Sequence, residues 1–255
     1  LPPFCCVIIL HMRNDKPLYL SVIVPAYNEE ENIASTLQDI AQYLETKNYA
    51  YEIIVVDDGS KDKTAELAAF EGKVFARFNL LRHFPNRGKG YAVKQGVNSA
   101  NGELILFMDA DNSTRINQID KLISAILEGN DMAIGSRRME GAVIEKYQPW
   151  NRRFLGNAYV KLSNLILNTN VNDYNCGFKL CKNSAAKIIF DKLTRNDWSF
   201  DSELIYLAFK YKLKIKEVPI VWQDKQKTSK VKPIRDGIKS FINLVRIRTQ
   251  KRRFS

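Results

Sequence analysis

Histidine is almost absent from this chain, with two residues in 255, and cysteine is scarce, with four. His11 and His83 stand alone without ligand spacing, and both read as structural. Cys5, Cys6, Cys176 and Cys181 lack zinc-ribbon spacing, so a metal-thiolate centre is not expected and reduced thiols in a cytosolic setting are. No run of apolar residues is long enough to cross a bilayer: Leu1-Pro-Pro-Phe-Cys-Cys-Val-Ile-Ile-Leu10 reaches about half the required length and has no basic leader. Because the chain opens on Leu, that stretch is read as a translated upstream segment or a truncated anchor, with Met12 as an alternative start. Repeats and low-complexity segments are also missing. With 45% hydrophobic and 26% charged residues, the composition is that of a large α/β domain with a full core.

Acidic residues are missing from one region only. Residues 225–255 hold eleven Lys or Arg against Asp236 alone, so all but one unit of the net charge of +11 lies there. The first 224 residues are close to neutral, and the tail is expected to seek an anionic surface. Within it, Ile234, Ile238, Phe241, Ile242 and Val245 share one helical face, while Lys232, Arg235, Lys239 and Arg246 fall mainly on the other. This predicts a basic amphipathic helix lying on a membrane. Nucleic acid is a poor partner, because stacking needs interleaved aromatics and the tail offers only Phe241 and Phe254.

The ordered region reads as alternating strands and helices. Strands are expected at Leu20–Pro25, Tyr51–Val56, within 74–83, up to Asp109, and at Asp131–Ser136. Asn28 is expected to cap a helix carrying Ile33, Leu37, Ile40 and Leu44. Further helices are expected from about Lys63, after Gly88-Lys-Gly90, and over 118–127. This spacing is that of a doubly wound parallel sheet, in which ligands bind at the carboxyl ends of strands. The second half is less regular, with helices at 152–167 and 201–211 and strands at 178–181 and 215–221.

Polar clusters follow four of the strand ends: Ala26-Tyr-Asn-Glu29, Asp57-Asp58, Lys89 and Asp109-Ala110-Asp111. Two carboxylates at i and i+2, leaving an apolar strand, repel each other unless a cation lies between them. A divalent metal carrying a phosphate answers that need, and a solvated turn is the bland alternative.

Val22-Ile-Val-Pro-Ala-Tyr-Asn-Glu-Glu30, Ile54-Val-Val-Asp-Asp-Gly-Ser60, Asn86-Arg-Gly-Lys-Gly90 and Met108-Asp-Ala-Asp111 together resemble the inverting family 2 glycosyltransferases. In the second half, Ile134-Gly-Ser-Arg137, Trp150-Asn-Arg-Arg153, Asn175-Cys-Gly-Phe-Lys179, Trp198-Ser-Phe-Asp-Ser-Glu203 and Thr228-Ser-Lys230 resemble the polyprenyl-phosphate branch, closest to its dolichyl-phosphate β-glucosyltransferases. The branch often carries an Arg six residues before the Ser-Lys lysine, where this chain has Asp224, with Lys225 and Lys227 nearby.

The resemblance implies an α/β fold of the GT-A type: a Rossmann-like, doubly wound, mostly parallel sheet in one domain over 19–232. An N-terminal extension (1–18) precedes it and the basic helix (233–255) follows. It implies transfer of one hexose, with inversion, from UDP-glucose or GDP-mannose to a polyprenyl or dolichyl phosphate at the cytoplasmic face of the plasma membrane or endoplasmic reticulum. Pro25, Ala26, Tyr27, Glu29, Val56, Asp58, Lys89, Asp109, Ala110 and Asp111 would then bind the nucleotide sugar. Asp109, Asp111 and Ser113 would hold Mg²⁺ or Mn²⁺, with Asp109, Asp111 and Arg137 at the reacting centre. Glu29 has an alternative as a helix first-turn acid, and Asp57 and Asp58 as turn residues. Arg137, Arg152, Arg153, Lys179 and Lys230 would meet the acceptor phosphate. A saccharide hydroxyl acceptor would instead need a base, with Asp173, Asp201 and Glu203 as candidates. The Gln-x-x-Arg-Trp signature of processive synthases is absent, and Gln148-Pro-Trp-Asn-Arg152 only superficially resembles it.

Overall fold

The alternation of apolar residues along β1 (Leu18–Ala26) sends Leu20, Val22 and Val24 to one face of a central sheet and Ile23 to the other. Both faces are covered, so β4 (Leu104–Met108) is buried along its whole length and β1 from Leu20 onward. The computed structural model describes residues 16–146, 150–225 and 233–250. The apolar opening stretch, Lys230 and the side chain of Arg152 lie outside that description.

Seven strands form the sheet in the order β3-β2-β1-β4-β7-β5-β8. They are β1, β2 (Ala50–Asp57), β3 (Phe78–Arg82), β4 (Leu104–Met108), β5 (Met132–Ser136), β7 (Phe178–Lys182) and β8 (Ile215–Pro219). All run parallel except β7, which enters antiparallel between β4 and β5. A second, two-stranded sheet pairs β6 (Val143–Lys146) with β9 (Val221–Gln223), so the strand expected over 215–221 is broken at Ile220.

One face carries α1 (Ile33–Leu44), α2 (Thr64–Glu71) and α4 (Ile119–Leu127). The other carries α3 (Lys89–Ser99), α5 (Trp150–Leu167), α6 (Asn183–Lys192), α7 (Phe200–Lys210) and α8 (Pro233–Thr249). The sequence reading missed β6 and α6. It also missed the sense of β7, which an apolar run does not encode.

Strand order reverses between β1 and β4, the two strands at the middle of the winding. The crevice outside their carboxyl ends is where a doubly wound sheet opens to ligand. Ala26-Tyr27 and Asp109-Ala110-Asp111 both sit there.

The C-terminal helix departs from expectation in how it lies. Leu244 and Ile247 are fully buried, and α8 packs against α5 and α7, so it is part of the body and not an appended tail. Of the predicted apolar stripe, Ile234 and Ile238 have no described side chains. Phe241, Ile242 and Val245 face outward, exposed at 46%, 42% and 38%. The helix therefore has two apolar faces: the inner one docks it and the outer one is the predicted stripe. Beside it, α5 exposes Phe154, Leu155 and Leu165.

Candidate active site

Asp109 leaves the end of β4 and turns back at once: the Asn112 N–H donates to the Asp109 carbonyl at 3.2 Å, with Asn112 in the left-handed region (φ 54°). Asparagine tolerates that conformation because its short side chain bonds locally. Here the Asn112 amide donates to Asp39 of α1 at 2.5 Å, and Thr36 of α1 donates to the Ala110 carbonyl at 2.7 Å. The turn carrying both carboxylates is thus fixed from α1. Neither contact was visible in sequence, because Thr36 and Asp39 look like ordinary polar positions on a helix.

Lys89, the first residue of α3, donates to Asp109. Burial would raise the pKa of Asp109, but Lys89, aided by Lys179 and Arg137, holds it below the ordinary carboxylate range. Asp111 goes the other way. Burial, reinforced by the charge of Asp109, pushes it up, and the hydrogen bonds from Ser113 only partly offset this. A partly buried carboxylate left short of positive charge beside a second one is a donor set that suits a hard divalent cation. Among the described residues no third His, Cys, Asp or Glu joins the pair. Any further ligands to a bound ion would have to come from outside this pair of side chains. The backbone N–H of Ser113 donates to Asp111 at 2.9 Å, and its side chain also bonds that carboxylate, so Ser113 orients Asp111.

Gly177 stands against this carboxylate. A methyl group there would lie 2.1 Å from Asp109 Oδ2, so only glycine leaves Asp109 room. The following turn is held from below by Lys179, whose ammonium donates to the Cys176 carbonyl at 2.6 Å and pairs with Asp201 at 2.5 Å. Lys179 has no exposed surface, which corrects its expected role on the acceptor phosphate. On β7, its alternation turns it into the core beneath the site, where Asp201 neutralises it.

Arg137, at the end of β5, forms a forked pair with Asp173 at 2.7 and 2.8 Å, and Arg138 reaches the same carboxylate at 3.2 Å. Burial opposes ionisation of Asp173, but the two guanidiniums push it down to about 2. Burial works against the charge of Arg137 too, yet Asp173 outweighs it and raises the pKa, with Asp109 contributing at longer range. Arg138 was passed over in sequence although it adjoins Arg137. It also donates to Asn157 of α5 at 3.1 Å, which links the arginine pair to that helix. Arg153 lies exposed near the start of α5.

The three candidate bases are each engaged. Asp173 is held by the arginines and Asp201 by Lys179. Glu203 accepts from the N–H groups of Thr194 and Arg195 at 2.9 and 2.6 Å and from the Thr194 hydroxyl at 2.8 Å.

On the nucleotide side, Tyr27 is exposed at 37%, while Pro25 and Ala26 are buried at the strand end. The side chain of Val56 is fully buried on the α3 face of the sheet, so it offers a ligand no surface. Asp58 is spent on the loop that follows β3. It accepts from the Asn86 amide and from the N–H groups of Arg87 and Gly88, all at 2.8 Å, and its other contact is His83 at 2.5 Å. Its contribution is to shape that loop, and His83 is structural as read. Glu29 accepts from Asn32 at 2.8 Å, and its backbone carbonyl starts α1. Asn28, expected as the helix cap, is left-handed (φ 54°) and accepts from the Lys61 N–H at 2.9 Å instead. It ties the β1 loop to the β2 loop, and α1 starts later, at Ile33. Cys176 and Cys181 are buried free thiols, both pushed up to about 12 by burial, and so are inert.

Comparison with known proteins adds to this geometry. The model of the family described as "Glycosyl transferase family 2" matches residues 21–190. A dolichyl-phosphate beta-glucosyltransferase of Dictyostelium discoideum is 37% identical over 255 aligned residues, covering 93% of this chain and 77% of its relative. The human protein of the same name is 35% identical, covering 80% and 67%, and that of Saccharomyces cerevisiae is 34% identical, covering 92% and 76%. Among solved structures, mannosyl-3-phosphoglycerate synthase from Rubrobacter xylanophilus superposes with a TM-score of 0.69 at 19% identity, covering 94% of this chain and 75% of that one. Glucosyl-3-phosphoglycerate synthase from Mycobacterium tuberculosis, in complex with Mn²⁺, UDP-glucose and phosphoglyceric acid, gives 0.68 at 18% identity, covering 97% and 85%. At these identities the structural likeness speaks to the fold, which is GT-A.

Proposed function

The chain belongs to glycosyl transferase family 2, and from that premise we propose that it moves glucose from UDP-glucose onto the phosphate of a dolichyl-type polyprenyl lipid, with inversion. The relatives' names support the lipid phosphate and the glucose. The observation that carries the acceptor is the state of the carboxylates in the second half. A sugar hydroxyl needs a base to take its proton, but Asp173, Asp201 and Glu203 are each held by cations or N–H donors. A phosphate monoester, with its second pKa of about 6, arrives already mostly ionised and needs cations instead. Arg137 and Arg138 supply them on the same sheet edge as Asp109.

The division of labour follows. Asp109 and Asp111 are the residues that would hold Mg²⁺ or Mn²⁺, and the ion would stabilise the charge that builds on the departing UDP. Lys89 keeps Asp109 ionised before that charge arrives. Tyr27 offers the exposed ring at the end of β1 for the base and ribose. With its fork held by Asp173, Arg137 would turn its remaining terminal nitrogen to the acceptor phosphate and draw it toward the anomeric carbon from the side opposite the diphosphate.

Transfer is tested with radiolabelled UDP-glucose and GDP-mannose, each offered with polyprenyl phosphate and with free saccharides in Mn²⁺. Label should pass from UDP-glucose into the lipid. Label in a free saccharide and none in lipid would remove the phosphate acceptor.

The same reading seats the enzyme on a membrane surface, at the cytoplasmic face where such lipids present their phosphates. Among the described residues no helix is long and apolar enough to cross a membrane. Support comes from the outward Phe241, Ile242 and Val245 of α8, bordered by Arg246 and Arg248, and from Phe154, Leu155 and Leu165 on the neighbouring α5. Apolar contact combined with basic flanks is how a helix lies in an anionic interface. Changing Phe241, Ile242 and Val245 together to Ser should release the protein from anionic vesicles in a sedimentation assay, by about tenfold or more in partition. Unchanged sedimentation would sink the idea that this face meets lipid.

A further inference from the structure

Between α6 and α7 a short loop, residues 193–199, lies against the start of α3 and carries Trp198, whose indole is 69% exposed. The loop is tightly anchored. Glu203 holds its start through the Thr194 and Arg195 N–H groups, and the Asn196 carbonyl accepts from the Gly90 N–H at 2.8 Å. Gly88 is packed so closely on that carbonyl that a methyl group there would lie 2.3 Å away. From the other side α8 grips the loop. The buried Asn243 amide donates to Asp197 at 3.2 Å and to Ser199 at 2.8 Å, one residue on either side of Trp198.

The consequence is a largely exposed aromatic ring carried on anchored backbone. Its near neighbour is the Lys89 ammonium, 5.2 Å from the ring centroid, and Lys89 in turn donates to Asp109. Large exposed aromatics on fixed backbone beside a polar cluster are typical of ligand sites, where the ring supplies flat apolar area and the polar groups set orientation. A hexose has the matching chemistry: one face of axial C–H groups and a rim of hydroxyls.

The geometry points to Trp198 as the stacking surface for the transferred hexose, and to Asn243 as the positioning residue that fixes it from α8. This rests on the nucleotide-sugar reading above. It goes beyond it by naming what recognises the sugar as distinct from the nucleotide. The hydroxyl rim would then face Lys89 and the carboxylates at the end of β4, and the α8 clamp would make the sugar site depend on how that helix is seated.

Calorimetric titration of the whole protein with UDP and, separately, with UDP-glucose, both in Mn²⁺, tests this without any lipid. Trp198→Ala should weaken UDP-glucose about tenfold and leave UDP unchanged, while Trp198→Phe keeps most of the affinity. Asn243→Ala should weaken UDP-glucose selectively and by less. Equal weakening of UDP and UDP-glucose in Trp198→Ala, or unchanged binding of both alongside a loss of transfer to lipid, overturns the proposal. The second of those results would assign the ring to the lipid. Failure of the unaltered protein to bind UDP would instead remove the nucleotide-sugar reading itself, and this proposal with it.

Discussion

Replacing Asp111 with Asn is expected to lower the transfer rate by roughly 10²–10³-fold, the range seen when one electrostatic contact to a developing charge is lost. The substitution is a clean one. Asn keeps an oxygen to accept the Ser113 N–H, so the turn after β4 should survive and the melting temperature should barely move. What is lost is the charge that burial and Asp109 already make costly to keep. The same imbalance sets the pH response. Because the pKa of Asp111 is raised, its proton returns on acidification before that of an ordinary carboxylate, and a protonated Asp111 cannot hold a cation. A bound divalent cation would reverse that balance and keep Asp111 ionised, so acid should act by proton competition against Mn²⁺ binding, and excess Mn²⁺ should restore activity on the acid side. A variant within fivefold of the parent rate at all Mn²⁺ concentrations would show that Asp111 is not a metal ligand.

The largest effect on stability is expected at Asp173. Removing its carboxylate in Asp173→Ala strands two guanidiniums, and breaking a buried ion pair from one side costs about 3–5 kcal/mol. For a chain of this size that is roughly 10 °C in melting temperature. A second consequence is pH dependence. The folded-state value of about 2 lies below the ordinary 3.8, so the stabilisation is complete above about pH 4 and disappears as pH falls through about 2. The difference is about 2 kcal/mol. Denaturant titrations at pH 6 and pH 2.5 should therefore converge for the parent and Asp173→Asn as acid is added. A gap between the two proteins that stays the same at both pH values would sink the pH linkage, and coincident curves would mean that the pair contributes nothing to folding. In either variant a freed Arg137 should also raise the KM for lipid phosphate, since its direction is set by Asp173.

What the sequence made legible follows the range over which each signal acts. Strands β2 and β4 are nearly continuous apolar runs that end in acids, and both strand and acid were readable because they are adjacent in the chain. Asp109 and Asp111 belong to that class. Lys179 does not: a lysine after Cys-Gly-Phe looks like a phosphate ligand until Asp201, 22 residues later on α7, is found beside it. Asp58 was legible as a strand-end acid, but its real partners, the Asn86–Gly88 loop, come from the far side of β3. The C-terminal helix was read correctly as amphipathic and incorrectly as an appendage. Leu244 and Ile247 form a second apolar face, and only packing decides which face turns inward. Arg138 was missed for the same reason, as it gains its meaning from Asn157 and Asp173, which lie far along the chain.

The antiparallel β7 has a consequence for how the chain is made. It is the strand that fills the gap between β4 and β5, yet it comes after both, with about forty residues of β6, α5 and connecting loop in between. As the polypeptide emerges, the nucleotide half can assemble β1 to β4 early, but the open side of β4 keeps a row of unpaired backbone groups until residues 178–182 arrive. Gly177 and Lys179, the residues that seat Asp109, come with that same strand. The turn carrying Asp109 and Asp111, already held from α1 and by Lys89, therefore gains its β7 neighbours late in synthesis, and a product released before about residue 182 would expose a hydrophobic strand edge. Such a fragment would be a client for chaperones and not a smaller enzyme.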